Sequence, residues 1–147
     1  MFTGIVTHRA RLLDVESFGD DCRLHFTTDP QFLEDCVTGD SIAVSGVCLT
    51  ALNPAEDRFS ADVSAETLSV TPLGLLEPGA RLNLERPLRA NGRFDGHFVT
   101  GHVDGVTTLA RRVEEARSTR MVFETPRSLS RFIAAKGSLC LDGVSLT

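Results

Sequence analysis

Two short stretches of this sequence carry side chains that could move protons or attack a carbon atom. Cys48 lies in SGVCLT (45–50), and Ser145 lies at the same place in DGVSLT (142–147). A third candidate, His102, lies in VTGHVDG (99–105), and its counterpart in FTGIV (2–6) is Ile5. Cysteine, serine and histidine are the usual nucleophiles and proton carriers of enzymes. Each difference between the paired stretches therefore gives one of them a reactive group that the other lacks or replaces with a different one. Lys136, at the position of Gly39, is a further difference of this kind.

The paired stretches belong to a longer internal repeat with a constant offset of 97 residues. The offset gives 12 identities over the first 50 residues without a gap, where chance predicts roughly three or four at this composition. We interpret residues 1–97 as one complete domain and residues 98–147 as the first half of a second copy. Because counterparts of residues 51–97 do not follow Thr147, we expect the natural chain to continue.

Alternation of apolar and polar residues predicts that the first copy is all-β. Strands are predicted over 2–6, 10–15, 22–27, 41–44, 47–52, 58–63 and 80–85, with Cys22, Leu24 and Phe26 on one face. Turn residues separate these strands, which is typical of a small antiparallel barrel or sandwich. The polar, glycine-bearing segment 86–96 is predicted to be the linker between the copies.

Helical signals interrupt the strand pattern at three places. Asp29 supplies an N-cap, Pro30 fits the first helical position, and Ser64 can cap a shorter helix. The second copy repeats the first signal at Thr125-Pro126, and the buried side of that helix is predicted to hold Leu129, Phe132 and Ile133.

Composition and charge exclude several classes of function. The net charge is −5 with acids and bases interspersed, so neither a basic stripe for nucleic acid nor a basic segment for a membrane surface is present. No leader-like N-terminus and no long apolar run are found, which predicts a cytoplasmic protein with a small-molecule partner. No metal site is expected from the cysteine and histidine spacings, and His97 and His102 are predicted to lie on one strand and point to opposite faces.

Six motifs, in order along the whole chain, resemble those of riboflavin synthases. They are MFTGIV (1–6), SGVCLT (45–50), ADVSAETL (61–68), LNLER (82–86), GHFVTGHVDG (96–105) and KGSLCLDGVSLT (136–147). The resemblance implies tandem six-stranded Greek-key β-barrels, the second one incomplete in this sequence, and a homotrimer assembled by a C-terminal helix. Lumazine synthase is a further partner that it suggests.

The resemblance also implies a reaction. Two molecules of 6,7-dimethyl-8-ribityllumazine dismutate by four-carbon transfer to riboflavin and 5-amino-6-ribitylamino-pyrimidinedione, the final step of riboflavin biosynthesis, and no cofactor takes part. Each barrel would hold one substrate, and the active site would form between the N-terminal barrel of one subunit and the C-terminal barrel of its neighbour.

Site residues follow from the same motifs. The first pocket is expected to be lined by Gly4, Ile5, Val6, Cys48, Leu49, Thr50, Asp62, Val63, Ser64, Ala65, Glu66 and Thr67. The second pocket is expected to be lined by Gly101, His102, Val103, Lys136, Ser145, Leu146 and Thr147, with Phe2 and Ser41 also near the substrates. His102 is assigned to proton transfer, and Cys48 or Ser145 to activating water or a substrate carbon.

Each candidate residue also has an interpretation without chemistry. Cys48 can be a small buried hydrophobe, His102 a surface histidine, and Ser41 or Ser145 a turn residue bonded to its own backbone. Lys136 can be a solvated charge at a helix end, and Glu66 can cap a short helix.

Two other functions are open. One is a non-catalytic lumazine- or flavin-binding protein of the antenna type, and the other is a generic β-barrel interaction module. The retained motifs of the second copy favour the enzyme. Because that copy stops at its midpoint, the 147-residue form is expected to be a poor catalyst.

Overall fold

A computed structural model describes all residues from Met1 to Thr147. Eleven strands and three short α-helices follow one another. The strands are β1 (His8–Phe18), β2 (Asp21–Thr27), β3 (Ser41–Val44), β4 (Val47–Thr50), β5 (Leu52–Ala55), β6 (Arg58–Val63), β7 (Arg81–Glu85), β8 (Thr108–Glu115), β9 (Ser118–Glu124), β10 (Leu139–Leu141) and β11 (Val144–Leu146). The helices are α1 (Pro30–Leu33), α2 (Ala65–Val70) and α3 (Arg127–Ser130), with a 3-10 turn at Pro72–Leu75. None of the helices has the length and apolar character needed to cross a membrane.

The first copy is a curled antiparallel sheet with the strand order β4-β3-β7-β1-β2-β6-β5. Neighbours that are distant in sequence, such as β7 beside both β1 and β3, are typical of a Greek key. The sheet curls into a barrel-like shape in which β4 lies near β6 without a hydrogen-bonded ladder between them. Its interior receives every second residue of each strand, for example Leu24 and Phe26 of β2 opposite Ala61 and Phe59 of β6. The predicted all-β barrel is therefore confirmed.

Local signals placed several elements as predicted. The side chain of Asp29 accepts a hydrogen bond from the Gln31 amide at 2.9 Å and caps α1, and Ser64 caps α2 through the Thr67 amide at 3.3 Å. The β3–β4 hairpin turns through Ser45 and Gly46, both with positive φ (46° and 84°). Two such residues between paired strands form the tight turn that suits the right-handed twist of a hairpin.

The second copy repeats the first element by element at the 97-residue offset. β9 corresponds to β2, α3 to α1, and the β10–β11 hairpin to the β3–β4 hairpin. The left-handed backbone positions correspond too, since Asp142 and Gly143 have φ of 49° and 80°. In this copy the strands form two separate two-stranded sheets, β8–β9 and β10–β11.

Four expectations from the sequence are wrong. Residues 2–6 do not form a strand, because Gly4 has a φ of 75° and only Phe2 makes an isolated bridge. His97 and His102 lie outside regular structure instead of on one strand. Strand β5 was missed because Asn53-Pro54 predicts a turn, whereas the strand continues through an irregular register with a φ of 48° at Asn53. In the second copy α3 ends at Ser130, and the side chains expected to be buried beyond it are exposed, with Phe132 at 72% and Ile133 at 43%.

Arg86, which directly follows β7, forms hydrogen bonds that connect the barrel to α1 and the residues after it. Its guanidinium donates to the carbonyls of Phe32 (3.1 Å) and Glu34 (2.9 Å) and to Asp35 Oδ1 (2.9 Å), while Arg89 donates to Asp35 Oδ2 at 2.8 Å. The hydrogen bond from Arg86, with the added positive charge of Arg89, lowers the pKa of Asp35 below its ordinary value.

We expect Arg86→Gln to raise the pKa of Asp35 toward its ordinary value, and Arg89→Gln to raise it less. Because the folded pKa of Asp35 is lowered, its contribution to stability is present above the ordinary aspartate range and is lost as the pH falls through the folded pKa. A pH titration of the Asp35 carboxyl carbon by NMR measures both variants. An unchanged midpoint in Arg86→Gln would contradict this account.

Candidate functional site

The two copies meet across a local two-fold axis. The Phe2 amide donates to the Val99 carbonyl at 2.7 Å, and the Val99 amide returns the bond to Phe2 at 3.1 Å. Gly46 and Gly143 also touch, since a Cβ on Gly46 would lie 2.7 Å from the Gly143 nitrogen and a Cβ on Gly143 2.8 Å from the Gly46 nitrogen. Each pair consists of a residue and its own counterpart in the repeat. The copies are therefore joined face to face by equivalent surfaces.

In each copy, the loop that contains Gly4 (first copy) or Gly101 (second copy) is hydrogen-bonded to a strand of the other copy. The Cys48 amide of β4 donates to the Gly101 carbonyl at 2.9 Å, and the Ser145 amide of β11 donates to the Gly4 carbonyl at 2.7 Å. Both glycines have the left-handed backbone, with φ of 75° at Gly4 and 81° at Gly101. Val103 follows the same path as Gly101 and packs against the core of the first barrel.

This crossing brings the predicted site residues together in pairs that differ from the predicted pockets. The sequence assigned Gly4, with Ile5 and Val6, to the pocket of Cys48, and Gly101, with His102 and Val103, to the pocket of Ser145. The hydrogen bonds pair Gly101 with Cys48 and Gly4 with Ser145 instead. We call these two arrangements the first site (Cys48, Gly101) and the second site (Ser145, Gly4).

In the first site, the polar side chains lie on the outward face of the β3–β4 hairpin. Ser41 pairs with Thr50 and Ala43 with Cys48, while the intervening residues of both strands point into the barrel. The predicted site residues Leu49 and Val63 belong to that interior, at 6% and 2% exposure, so their side chains face away from a ligand on the outside. Strand β6, which ends at Val63, lies against β4 of the hairpin.

The predicted site residues from Asp62 to Thr67 lie at the end of β6 and the start of α2. Asp62 is exposed and is held by Arg23, whose Nε and Nη2 donate to its two oxygens at 2.6 and 3.0 Å. These hydrogen bonds lower the pKa of Asp62, so it stays ionised. Ala65 and Glu66 are exposed beyond the N-cap Ser64.

In the second site, Ser145 has a histidine partner. His97 Nδ1 lies 2.6 Å from Ser145 Oγ, and the His97 amide donates to the Thr3 carbonyl at 3.0 Å. A hydroxyl bonded to an imidazole can pass a proton to it or take one from it. Leu146 ends the strand of Ser145, and Thr147 follows it.

Two predicted residues make no side-chain bond in this arrangement. His102 is exposed, and only its amide is engaged, with Thr100 Oγ1 at 3.3 Å. Lys136 is exposed with a φ of 61°, matching the left-handed Gly39 of the first copy. Lys136 lies in a turn between α3 and β10, not at the end of a helix.

A small apolar cluster joins the copies beneath the sites. Phe2, Ala43 and Val99 are buried in it, and Cys48 and Cys140 pack against it. Burial raises the pKa of the Cys140 thiol above its ordinary value, which keeps it protonated and suits a packing role.

Sequence reasoning missed two residues of the second site, His97 and Glu85. Glu85 is buried, and its carboxylate accepts three hydrogen bonds from Thr3 and Gly4. One signal was available, because an acid directly follows the apolar alternation of LNL in β7. His97 was considered only as a metal ligand.

A separate hollow of about 290 Å³ lies on the outer face of β2 and β6 and contains none of the predicted site residues. His25 Nδ1 lies 2.8 Å from Ser60 Oγ there, and Arg58 lines the rim. Cross-strand polar pairs of this kind are typical of the wet face of a barrel.

Comparison with known proteins gives consistent matches over both copies. The family model described as Lumazine binding domain matches residues 3–87 and 100–147. Riboflavin synthase of Bacillus subtilis (strain 168) is 41% identical over 147 residues, which are all of this chain and 68% of that protein. Riboflavin synthase of Mycobacterium bovis is 43% identical over 148 residues, with 100% and 73% covered.

Two solved structures are also similar to this chain over nearly its whole length. The crystal structure of LumP complexed with 6,7-dimethyl-8-(1'-D-ribityl) lumazine aligns with a TM-score of 0.85 at 27% identity, over 99% of this chain and 78% of that one. LumP complexed with riboflavin aligns with a TM-score of 0.88 over the same shares and at the same identity. Alignment over nearly the whole chain includes both copies.

Proposed function

Since this chain belongs to the lumazine-binding family of riboflavin synthases, we propose that it binds 6,7-dimethyl-8-ribityllumazine at its two crossed sites. We further propose that it belongs to an enzyme that converts two such molecules into riboflavin and 5-amino-6-ribitylamino-pyrimidinedione. The reciprocal bonds Cys48–Gly101 and Ser145–Gly4 support the proposal most strongly. They build two related sites in one chain, which suits a reaction between two copies of one substrate.

The chemistry needs orientation and proton transfer more than a cofactor. One lumazine gives up a four-carbon unit to the other, so the atoms balance without an oxidant or reductant. A methyl group on the ring is acidic because its carbanion is delocalised into the pteridine. Holding the two rings in reacting orientation can lower the barrier by about 7 to 11 kcal/mol.

Each site offers one thiol or hydroxyl group and one histidine. In the first site these are Cys48 and His102, which directly follows Gly101 on the crossing loop; in the second site they are Ser145 and His97. We assign the histidines to proton transfer, and Cys48 or Ser145 to activating water or a substrate carbon. The homotrimer belongs to the same proposal, because the two substrates would meet between the barrels of neighbouring subunits.

A second candidate is a non-catalytic lumazine- or flavin-binding protein. The observation in its favour is the alignment of nearly the whole chain with LumP complexes of a lumazine and of riboflavin. Binding without turnover would distinguish it from the enzyme.

We expect the 147-residue chain to quench or shift the fluorescence of 6,7-dimethyl-8-ribityllumazine but to form riboflavin slowly. The reason is that β8–β9 and β10–β11 form separate sheets, so the second site lacks a closed barrel behind it. A version extended to complete the second repeat should form riboflavin at least about 100-fold faster, the scale of one well-placed catalytic interaction. Absorbance of riboflavin, with sedimentation of both chains, measures rate and assembly together.

Three outcomes are informative. Riboflavin from the extended chain, sedimenting as a trimer, supports the synthase. Lumazine binding by both chains without riboflavin supports the non-catalytic binder. If the fluorescence of the lumazine does not change at a saturating concentration of the protein, both the synthase and the non-catalytic binder are contradicted.

A further inference from the structure

We propose that Glu85 is the positioning residue of the second site. Its buried carboxylate holds the loop of Thr3 and Gly4 in the one conformation that orients Ser145 and His97. The inference rests on the proposed function in one respect, namely that a lumazine lies against Ser145. It goes beyond that function because the residue that fixes the geometry of the second site is at the end of β7, in the first copy.

The carboxylate of Glu85 is fully occupied by one loop. Oε1 accepts from the Thr3 amide at 2.6 Å and from Thr3 Oγ1 at 2.8 Å, and Oε2 accepts from the Gly4 amide at 2.9 Å. Glu85 is 6% exposed and forms no ion pair with Lys, Arg or His. A buried carboxylate is tolerated only when its oxygens are bonded, so it holds these three donors strongly.

The same loop is hydrogen-bonded to the backbone of both reactive residues, Ser145 and His97. The Gly4 carbonyl receives the Ser145 amide at 2.7 Å, and the Thr3 carbonyl receives the His97 amide at 3.0 Å. Ser145 Oγ and His97 Nδ1 then meet at 2.6 Å. Two consecutive peptides therefore link Glu85 to both members of the pair.

The side chain of Glu85 bonds only Thr3 and Gly4 and makes no hydrogen bond to the loop or strand of the first site. Thr100, the counterpart of Thr3, is exposed, and its hydroxyl accepts from the His102 amide rather than donating to a carboxylate. Loss of the Glu85 charge should therefore act on the second site and spare the first. A general loss of stability would affect both sites.

Glu85→Gln is the sharpest test, because it keeps the shape and removes one acceptor. Both oxygens of Glu85 accept from backbone amides, so either orientation of the glutamine sets an N–H against an N–H. We expect amide exchange at Thr3, Gly4 and Ser145 to accelerate about tenfold or more in the ligand-free, 15N-labelled chain. Exchange at Cys48 should change by less than about twofold.

The ligand arm uses a titration with 6,7-dimethyl-8-ribityllumazine, followed by the amide shifts of Ser145 and Cys48. The Kd reported by Ser145 should weaken about tenfold in Glu85→Gln, and the Kd reported by Cys48 should stay within about twofold. Asp57→Asn is the matched control, because it also replaces a carboxylate that accepts a hydrogen bond, from the Thr27 hydroxyl, in the turn between β5 and β6. It should leave both amides unchanged.

Unchanged exchange at Ser145, or equal effects on Ser145 and Cys48, would overturn the inference. If Glu85→Gln does not fold, Thr3→Val removes the Oγ1 bond alone, and the same selective pattern on a smaller scale is required. The exchange arm needs no ligand and decides the role of Glu85. Failure of the wild-type chain to shift any amide with lumazine would count against the proposed function instead.

Discussion

Gly101→Ala is expected to abolish lumazine binding at the first site and to lower the free energy of unfolding by about 3 kcal/mol. The new Cβ would lie 2.6 Å from Cys48 Cβ and 2.9 Å from the Cys48 nitrogen. Cys48 is paired with Ala43 in the β3–β4 hairpin, so it cannot retreat without breaking that ladder. The crossing loop must move instead, taking His102 and Val103 with it.

Gly19→Ala is the matched control for this variant. Gly19 has a similar left-handed φ of 68°, but a Cβ there would meet no atom within 4 Å. The backbone strain alone should cost about 1 to 2 kcal/mol and leave ligand binding intact. Urea unfolding and lumazine fluorescence titration of both variants measure the difference. Equal losses in the two variants would contradict the close approach of the Gly101 loop to β4.

Phe2→Ala is expected to cost about 3 to 5 kcal/mol, the usual range for a fully buried phenylalanine. Phe2 is 0% exposed and packs with Ala43 and Val99 in the cluster that joins the copies. Its backbone bonds to Val99 would remain possible, so the loss isolates the side-chain packing at the joint. Because the cluster lies under Cys48, binding at the first site should weaken as well.

Phe18→Ala provides the comparison for a phenylalanine outside the core. Phe18 is 50% exposed at the end of β1, where its ring lies 5.6 Å from the guanidinium carbon of Arg23. Its loss should cost less than about 1 kcal/mol. Chemical denaturation at matched m-values measures both variants. Similar costs would show that the joint between the copies contributes little to stability.

Much of the fold could be predicted from the sequence because its causes are local. Alternation predicted β3 and β6 to the residue, and Asp29 and Ser64 began their helices as side-chain caps must. The 97-residue repeat predicted that each element of the second copy has a twin. The site residues taken from the family motifs stay predictions, although the structure gathers Cys48 and Ser145 each against a crossing loop.

The crossing itself was decided only by the tertiary structure. A duplicated sequence carries the same glycine loop and the same strand twice, so a loop can bond its own copy or the other one with identical local chemistry. What selects the exchange is the joint between the copies: the bridge of Phe2 to Val99, the contact of Gly46 with Gly143, and the shared cluster around Ala43. The burial of Glu85 and its hold on Thr3 follow from that same long-range packing. The sequence by itself determined which residues carry chemistry and on which elements, because propensity and alternation act between near neighbours. Which of those residues face one another was determined by contacts between segments about 50 to 140 positions apart, which no local pattern encodes.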